Sequence, residues 1–213
     1  MKSMYTRAGL ALLCAMILSA CGGSGGGSLQ LGGTINGLTR SGLVLINKST
    51  GEKLTVAEGT TVFVFTRFLA IDEQFDVEID AQPSGTNCKA TDNNNKANVY
   101  TSTRVQINCT LNPWTLGGVV QGLADDGVAG NNDGVTLANG PDTVYVAPAA
   151  GGAAANFTFA STVGEGSPYG VTVLAQPSNR ICSLTAPVTN GVPGAGVMPA
   201  GNDSRLVVNC IAK

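Results

Sequence analysis

The chain contains no histidine, a single tryptophan and only 12% charged residues. Each shortage removes a class of function. Without histidine no Ser-His-Asp or Cys-His arrangement can form, because the general base is missing. No CxxC spacing exists either, so a zinc site built on thiolates and imidazoles has no framework. There is no P-loop, and no GxGxxG opens a helix after a strand. The longest apolar run, Ala8–Leu18, falls well short of the roughly 20 residues that span a bilayer. Beyond residue 28 no stretch keeps the i, i+3, i+4, i+7 apolar spacing of an amphipathic helix. The net charge is −2, which gives no electrostatic reason to bind nucleic acid.

Valine, threonine, asparagine and 29 glycines are abundant, a mixture that favours strands and tight turns over helices. The chain also repeats itself. Leu31-Gly32-Gly33-Thr34-Ile35-Asn36-Gly37-Leu38 returns as Leu116-Gly117-Gly118-Val119-Val120-Gln121-Gly122-Leu123. Phe63-Val64-Phe65 returns as Phe157-Thr158-Phe159, and Asn108-Cys109 as Asn209-Cys210. Ala81-Gln82-Pro83-Ser84, followed by Cys88, returns as Ala175-Gln176-Pro177-Ser178, followed by Cys182. Four landmarks in one order make a duplication, with Ala124–Asp133 inserted in the second copy. Each copy holds about seven short strands punctuated by turn residues, which fits a small antiparallel sandwich. Asp76-Val77-Glu78-Ile79-Asp80 shows the two-residue period: Val77 and Ile79 face one way, the carboxylates the other. The proline after each repeated glutamine has no N–H to give and ends the fifth strand.

Six cysteines are present. Cys14 lies in the apolar start and Cys21 at its end, which leaves Cys88, Cys109, Cys182 and Cys210 as two disulfides in an exported chain. Three pairings are formally open, and the repeat favours Cys88–Cys109 with Cys182–Cys210.

The first residues have the order of an export signal: basic Lys2 and Arg7, the apolar run, then Leu18-Ser19-Ala20-Cys21 and the flexible tract Gly22–Ser28. This resembles the lipobox of bacterial lipoproteins, in which the cysteine is acylated and becomes the new N-terminus. The resemblance implies cleavage before Cys21, lipidation of Cys21 and, with Gly22 in the sorting position, the outer membrane. Removing Lys2 and Arg7 leaves ten basic against fourteen acidic side chains, a net charge of −4. The recurring Leu-Gly-Gly-x-x-x-Gly-Leu, Phe-x-Phe, Gln-Pro-Ser and Asn-Cys elements resemble the immunoglobulin-like repeats of proteobacterial lipoproteins and large adhesin-like surface proteins. That resemblance implies an all-β fold of two tandem immunoglobulin-like antiparallel β-sandwiches, each with one intradomain disulfide. The expected layout is a signal over 1–20, lipidated Cys21 and tether over 21–30, and repeats over 31–111 and 116–213, joined by a linker at 112–115.

Candidate sites are few. Asp125, Asp126, Asn131 and Asp133 crowd oxygen donors of the kind calcium takes, on a segment that also reads as a solvated hairpin tip. Trp114, between the copies, reads as an interdomain wedge or a sugar-stacking platform. The carboxylates of Asp72, Glu73, Asp76, Glu78 and Asp80 could be paired for hydrolysis, but three of them alternate along a strand face as solvated residues do. The segments Thr91–Lys96 and Gly191–Gly201 read as exposed loops. The expectation is therefore a non-catalytic envelope lipoprotein for display, adhesion or envelope structure. The alternative is a periplasmic module that binds polysaccharide or peptidoglycan. No cofactor and no metal centre is expected, the partner is the membrane through the lipid, and the default state is a monomer.

Overall fold

The computed structural model describes residues 27–213, nearly all of them in strands and turns. The first module comprises β1 (Leu29–Asn36), β2 (Leu43–Asn47), β3 (Glu52–Val56), β4 (Val62–Leu69), β5 (Gln74–Ala81), β6 (Thr86–Thr91), β7 (Asn94–Lys96) and β8 (Val105–Leu111). After β9 (Pro113–Trp114), the second begins with β10 (Leu116–Gln121), β11 (Val135–Asn139), β12 (Asp142–Val146), β13 (Ala155–Thr158), β14 (Val163–Gly164) and β15 (Pro168–Ala175). It ends with β16 (Arg180–Ala186), β17 (Val188–Thr189), β18 (Val192–Pro193), β19 (Ala195–Val197) and β20 (Asp203–Ala212).

Each module is two four-stranded sheets face to face: β4-β1-β8-β6 on β3-β2-β5-β7, and β13-β10-β20-β16 on β12-β11-β15-β19. The fold is all-β, two immunoglobulin-like sandwiches, each closed by its own disulfide. Strand pairing is antiparallel except once per module, where β1 runs parallel to β8 and β10 to β20. Each module has a separate core. Leu31, Ile35, Leu45, Phe65, Phe75 and Ile107 lie in the first, and Leu116, Val120, Leu137, Phe159 and Leu206 in the second. The Phe-x-Phe landmark is a pair of edge-to-face rings in both, with centroids 6.0 and 5.9 Å apart.

The repeated motifs mark the places where the sandwich has no slack. A Cβ on Gly33 would run into the Val105 carbonyl of the parallel neighbour β8, and one on Gly118 into that of Leu206. Gly37 and Gly122 have φ of +73° and +75°, and each sits against the carbonyl of a disulfide cysteine, Cys109 or Cys210. Glycine answers both demands, a positive φ and a missing side chain.

Gln82 and Gln176 explain the Gln-Pro-Ser motif. The Gln82 side-chain amide accepts from Cys88 N–H and donates to Cys88 C=O, both at 2.8 Å. Gln176 does the same for Cys182 at 2.7 and 2.9 Å. The proline stops the strand and the glutamine amide replaces the strand neighbour that the cysteine backbone would otherwise lack. Gln82→Ala or Gln176→Ala removes two hydrogen bonds to a buried cysteine and is expected to cost about 2 kcal/mol, read from the urea midpoint.

Three expectations need correction. Each sandwich has eight strands instead of seven, because Asn94–Lys96 and Ala195–Val197, expected as loops, pair with β5 and β15. Asn94–Lys96 is exposed throughout, so its pairing rests on backbone bonds that leave no hydrophobic period. The strand β1 begins at Leu29, inside the segment expected as tether. Within the segment expected as linker, 112–115, Pro113–Trp114 is a strand as well.

Candidate functional site

Pro113–Trp114 pairs with Val163–Gly164, as Leu29–Gln30 pairs with Phe68–Leu69 in the first module. By this correspondence β9 is the opening of the second module's first strand. Only Asn112 separates it from β8, the last strand of the first. Around this one-residue junction the two modules share a latch centred on Glu165. Its N–H donates to the Asn112 carbonyl at 2.9 Å, and its carboxylate accepts from Asn112 Nδ2 at 3.3 Å and Trp114 Nε1 at 3.2 Å. Its carbonyl accepts from Arg40 of the first module at 2.5 Å. The Glu165 side chain lies where a Cβ on Gly85 would be, so the Gly85 turn is shaped to receive it. Trp114 is half-buried, packed on the second module's core. Glu165→Ala should shift Trp114 emission to longer wavelength and broaden the distance distribution between the modules in small-angle scattering.

At the far end of the second module the inserted segment brings Asp125, Asp126 and Asp133 together, with one carboxylate oxygen from each within 4.8 Å of the others. Asn131 Nδ2 donates to Asp126 at 2.9 Å, and Val128 N–H donates to it at 2.8 Å. These two bonds hold the Asp126 carboxyl below its ordinary pKa. Gly127 N–H donates to Asp125 at 2.7 Å. Desolvation, then the neighbouring Asp126 and Asp125, raises Asp133. Among the described residues, two buried side-chain oxygens, Asp133 Oδ1 and Asn179 Oδ1, have no hydrogen-bond partner. The segment folds back on the Gln176–Asn179 turn, where Ser178 N–H donates to the Asn132 carbonyl at 2.6 Å and Asn179 Nδ2 to the Ala124 carbonyl at 2.9 Å. In the repeat, Asn179 corresponds to Gly85, and the insertion starts directly after Leu123, the counterpart of Leu38, where the first module has Thr39-Arg40. The insertion thus occupies the surface that in the first module receives the Glu165 turn. Since the loop's own N–H groups already occupy Asp125 and Asp126, millimolar calcium is expected to leave the melting temperature unchanged.

Two carboxylates of β5, and Glu73 just before it, are ion-paired. Glu78 meets Lys48 at 2.6 Å, Asp80 meets Lys53 at 2.8 Å and Glu73 meets Arg67 at 2.7 Å. The hydrogen bond and charge of Glu78 raise Lys48. Cys21 lies outside the described residues.

One polar cluster left no mark in the sequence pattern. Asp203, only 3% exposed, accepts from the Tyr169 hydroxyl at 2.8 Å. It also accepts from Arg205 Nε at 2.9 Å and Nη2 at 2.8 Å. The first module has Phe75, Ser102 and Arg104 at these places. The two Arg205 bonds take Asp203 down to about 2 against its desolvation, and burial followed by the Asp203 bond takes Tyr169 up to about 12. Arg205 is raised in turn by Asp203. Only a comparison of the two copies carries a trace of it: Phe75 becomes Tyr169 and Ser102 becomes Asp203, a paired gain of a hydroxyl and a carboxylate.

The arrangement defines a class, tandem disulfide-closed β-sandwiches joined without a free linker. No family model and no curated protein matches the chain. Among solved structures it is similar to a C-terminal fragment of the pilus adhesin SpaC from Lactobacillus rhamnosus GG. The identity is 10% and the TM-score 0.38, over 86% of this chain and 97% of the fragment. It is also similar to a longer SpaC structure at 10% identity and TM-score 0.41, over 85% of this chain and 31% of that one.

Proposed function

We propose that the protein is a non-catalytic, lipid-anchored component of the cell envelope that holds its distal loops away from the membrane on a stiff two-module stalk. The observation that carries this reading is the junction. One residue, Asn112, separates the last strand of one sandwich from the first strand of the next, and the Glu165 latch ties both sides. Such a junction suits a spacer, whereas a hinge would leave several residues without partners. The lipid anchor rests on the Leu18-Ser19-Ala20-Cys21 motif, and the contact surface would be the distal end built from 124–133 and 176–179. Cys21→Ala is expected to abolish acyl labelling and release the protein from membranes. Protease added to intact cells should remove an epitope placed at Lys213. A tag protected until the outer membrane is broken would instead favour a periplasmic role in binding polysaccharide or peptidoglycan.

A further inference from the structure

The end of the first module at which the chain enters carries four exposed apolar side chains on hydrogen-bonded segments. Phe68 is 49% exposed, Ile71 72%, Val99 69% and Tyr100 77%. Asp72 N–H bonds the Ala97 carbonyl, and Ala97 N–H bonds the Glu73 carbonyl, which holds the two turns side by side. Asn98 fixes the second turn through Tyr100 N–H at 2.8 Å and Thr101 N–H at 3.0 Å. Phe68 is therefore displayed on a paired strand, and Ile71, Val99 and Tyr100 on tight turns, instead of being left out of the core by loose packing.

The duplication supplies an internal comparison. Phe68, Ile71, Val99 and Tyr100 correspond to Thr162, Glu165, Ala200 and Gly201, all polar or small. The same turn in the second module is the one that docks on a protein surface, through Glu165, and it does so with polar groups. The apolar set belongs to the first module alone. It sits where Gly27 lies against Leu69 and Ala70 and where β1 begins opposite Leu69. From Cys21 to Leu29 is at most about 28 Å of extended chain, and a glycine/serine tract spans roughly 15 Å on average.

We infer that this end is a membrane seat: Phe68, Ile71, Val99 and Tyr100 dip into the interfacial layer of the phospholipid bilayer to which Cys21 is anchored. The inference rests on the lipid-anchor reading. Tyrosine and phenylalanine are side chains that settle at that depth, with an apolar ring and, in tyrosine, a polar end. The lipid supplies the high local concentration, so a small apolar patch that would bind a membrane weakly by itself is enough. Seated in this way, the module stands on the bilayer at a fixed angle, and the rigid junction passes that orientation to the distal loops.

The test uses the full chain, recovered acylated and reconstituted in vesicles of phosphatidylethanolamine and phosphatidylglycerol containing brominated lipid. Tyr100→Trp adds a fluorophore at the seat, Trp114 serves as the internal reference, and Asn132→Trp is the distal control. The added signal of Tyr100→Trp is expected to be quenched at least twofold more than that of Trp114, with Asn132→Trp unquenched. Ile71→Ser with Val99→Ser, exposed positions whose loss leaves the melting temperature in place, should abolish that difference. Anchored protein in which Tyr100→Trp is quenched no more than Trp114 overturns the seat alone. Protein without acyl on Cys21 overturns the seat together with the lipid-anchor reading.

Discussion

Alanine at Asp203 is expected to destabilise the second module by about 3 kcal/mol, because a buried carboxylate at the centre of several bonds is removed while its partners stay. The Tyr169 hydroxyl loses its acceptor in a place with little access to water. Arg205, well exposed, can turn to solvent, which keeps the cost at the lower end of what breaking a buried pair produces. The first module shows how the site can be built without a buried carboxylate. Tyr169→Phe with Asp203→Ser recreates Phe75 and Ser102, and this double variant should recover most of the stability that Asp203→Ala loses. In a double-mutant cycle the two changes should couple strongly.

The same cluster sets a pH window. Asp203, ordinarily near 3.8, is held at about 2, so its contribution is complete above pH 4 and disappears as the pH falls through 2. Tyr169, ordinarily near 10, is raised to about 12, so its contribution is complete below pH 10 and is lost as the pH rises toward 12. The contribution of this cluster to the melting temperature should be constant between these limits. Asp203→Asn should flatten the acid limb of the second module, and Tyr169→Phe the alkaline limb. An unchanged profile in both would sink the assignment.

Removing a disulfide is the second large effect. Cys88–Cys109 closes 21 residues of chain and Cys182–Cys210 closes 28, each worth about 3 kcal/mol by the loop-entropy argument. Both join directly opposed residues of neighbouring strands within one sheet. The glutamine amide meets one cysteine of each pair and the close glycine the other, so cleavage loosens a site where the repeat motifs meet. Cys88→Ala with Cys109→Ala should lower the urea midpoint of the first module and leave the second near its original value, since the cores are separate. Two transitions in place of one would appear in the double variant. A single unshifted transition would refute the assigned role.

The amino-acid sequence determined the all-β class, the duplication and the disulfide pairing. These follow from local chemistry: two-residue alternation, turn residues, and matched landmarks at a growing offset. It also placed the hydrophobic faces of β5, because Val77 and Ile79 alternate with carboxylates. It did not show that Glu78 and Asp80 are ion-paired, since Lys48 and Lys53 come from a neighbouring hairpin.

What only the tertiary structure decided are the relations between segments far apart in the chain. The short edge strands β7 and β19 form because a sheet edge offers backbone partners, a force that leaves no side-chain signature. Expected linker residues became a strand because Val163–Gly164 stood ready to pair with them. Glu165 is an ordinary turn residue in sequence and a latch only where Arg40, Gly85, Asn112 and Trp114 converge on it. Asp203 is one acid among fourteen until folding buries it between Tyr169 and Arg205. Periodicity is written along the chain, whereas hydrogen bonds between distant residues exist only once the sheets have brought them together.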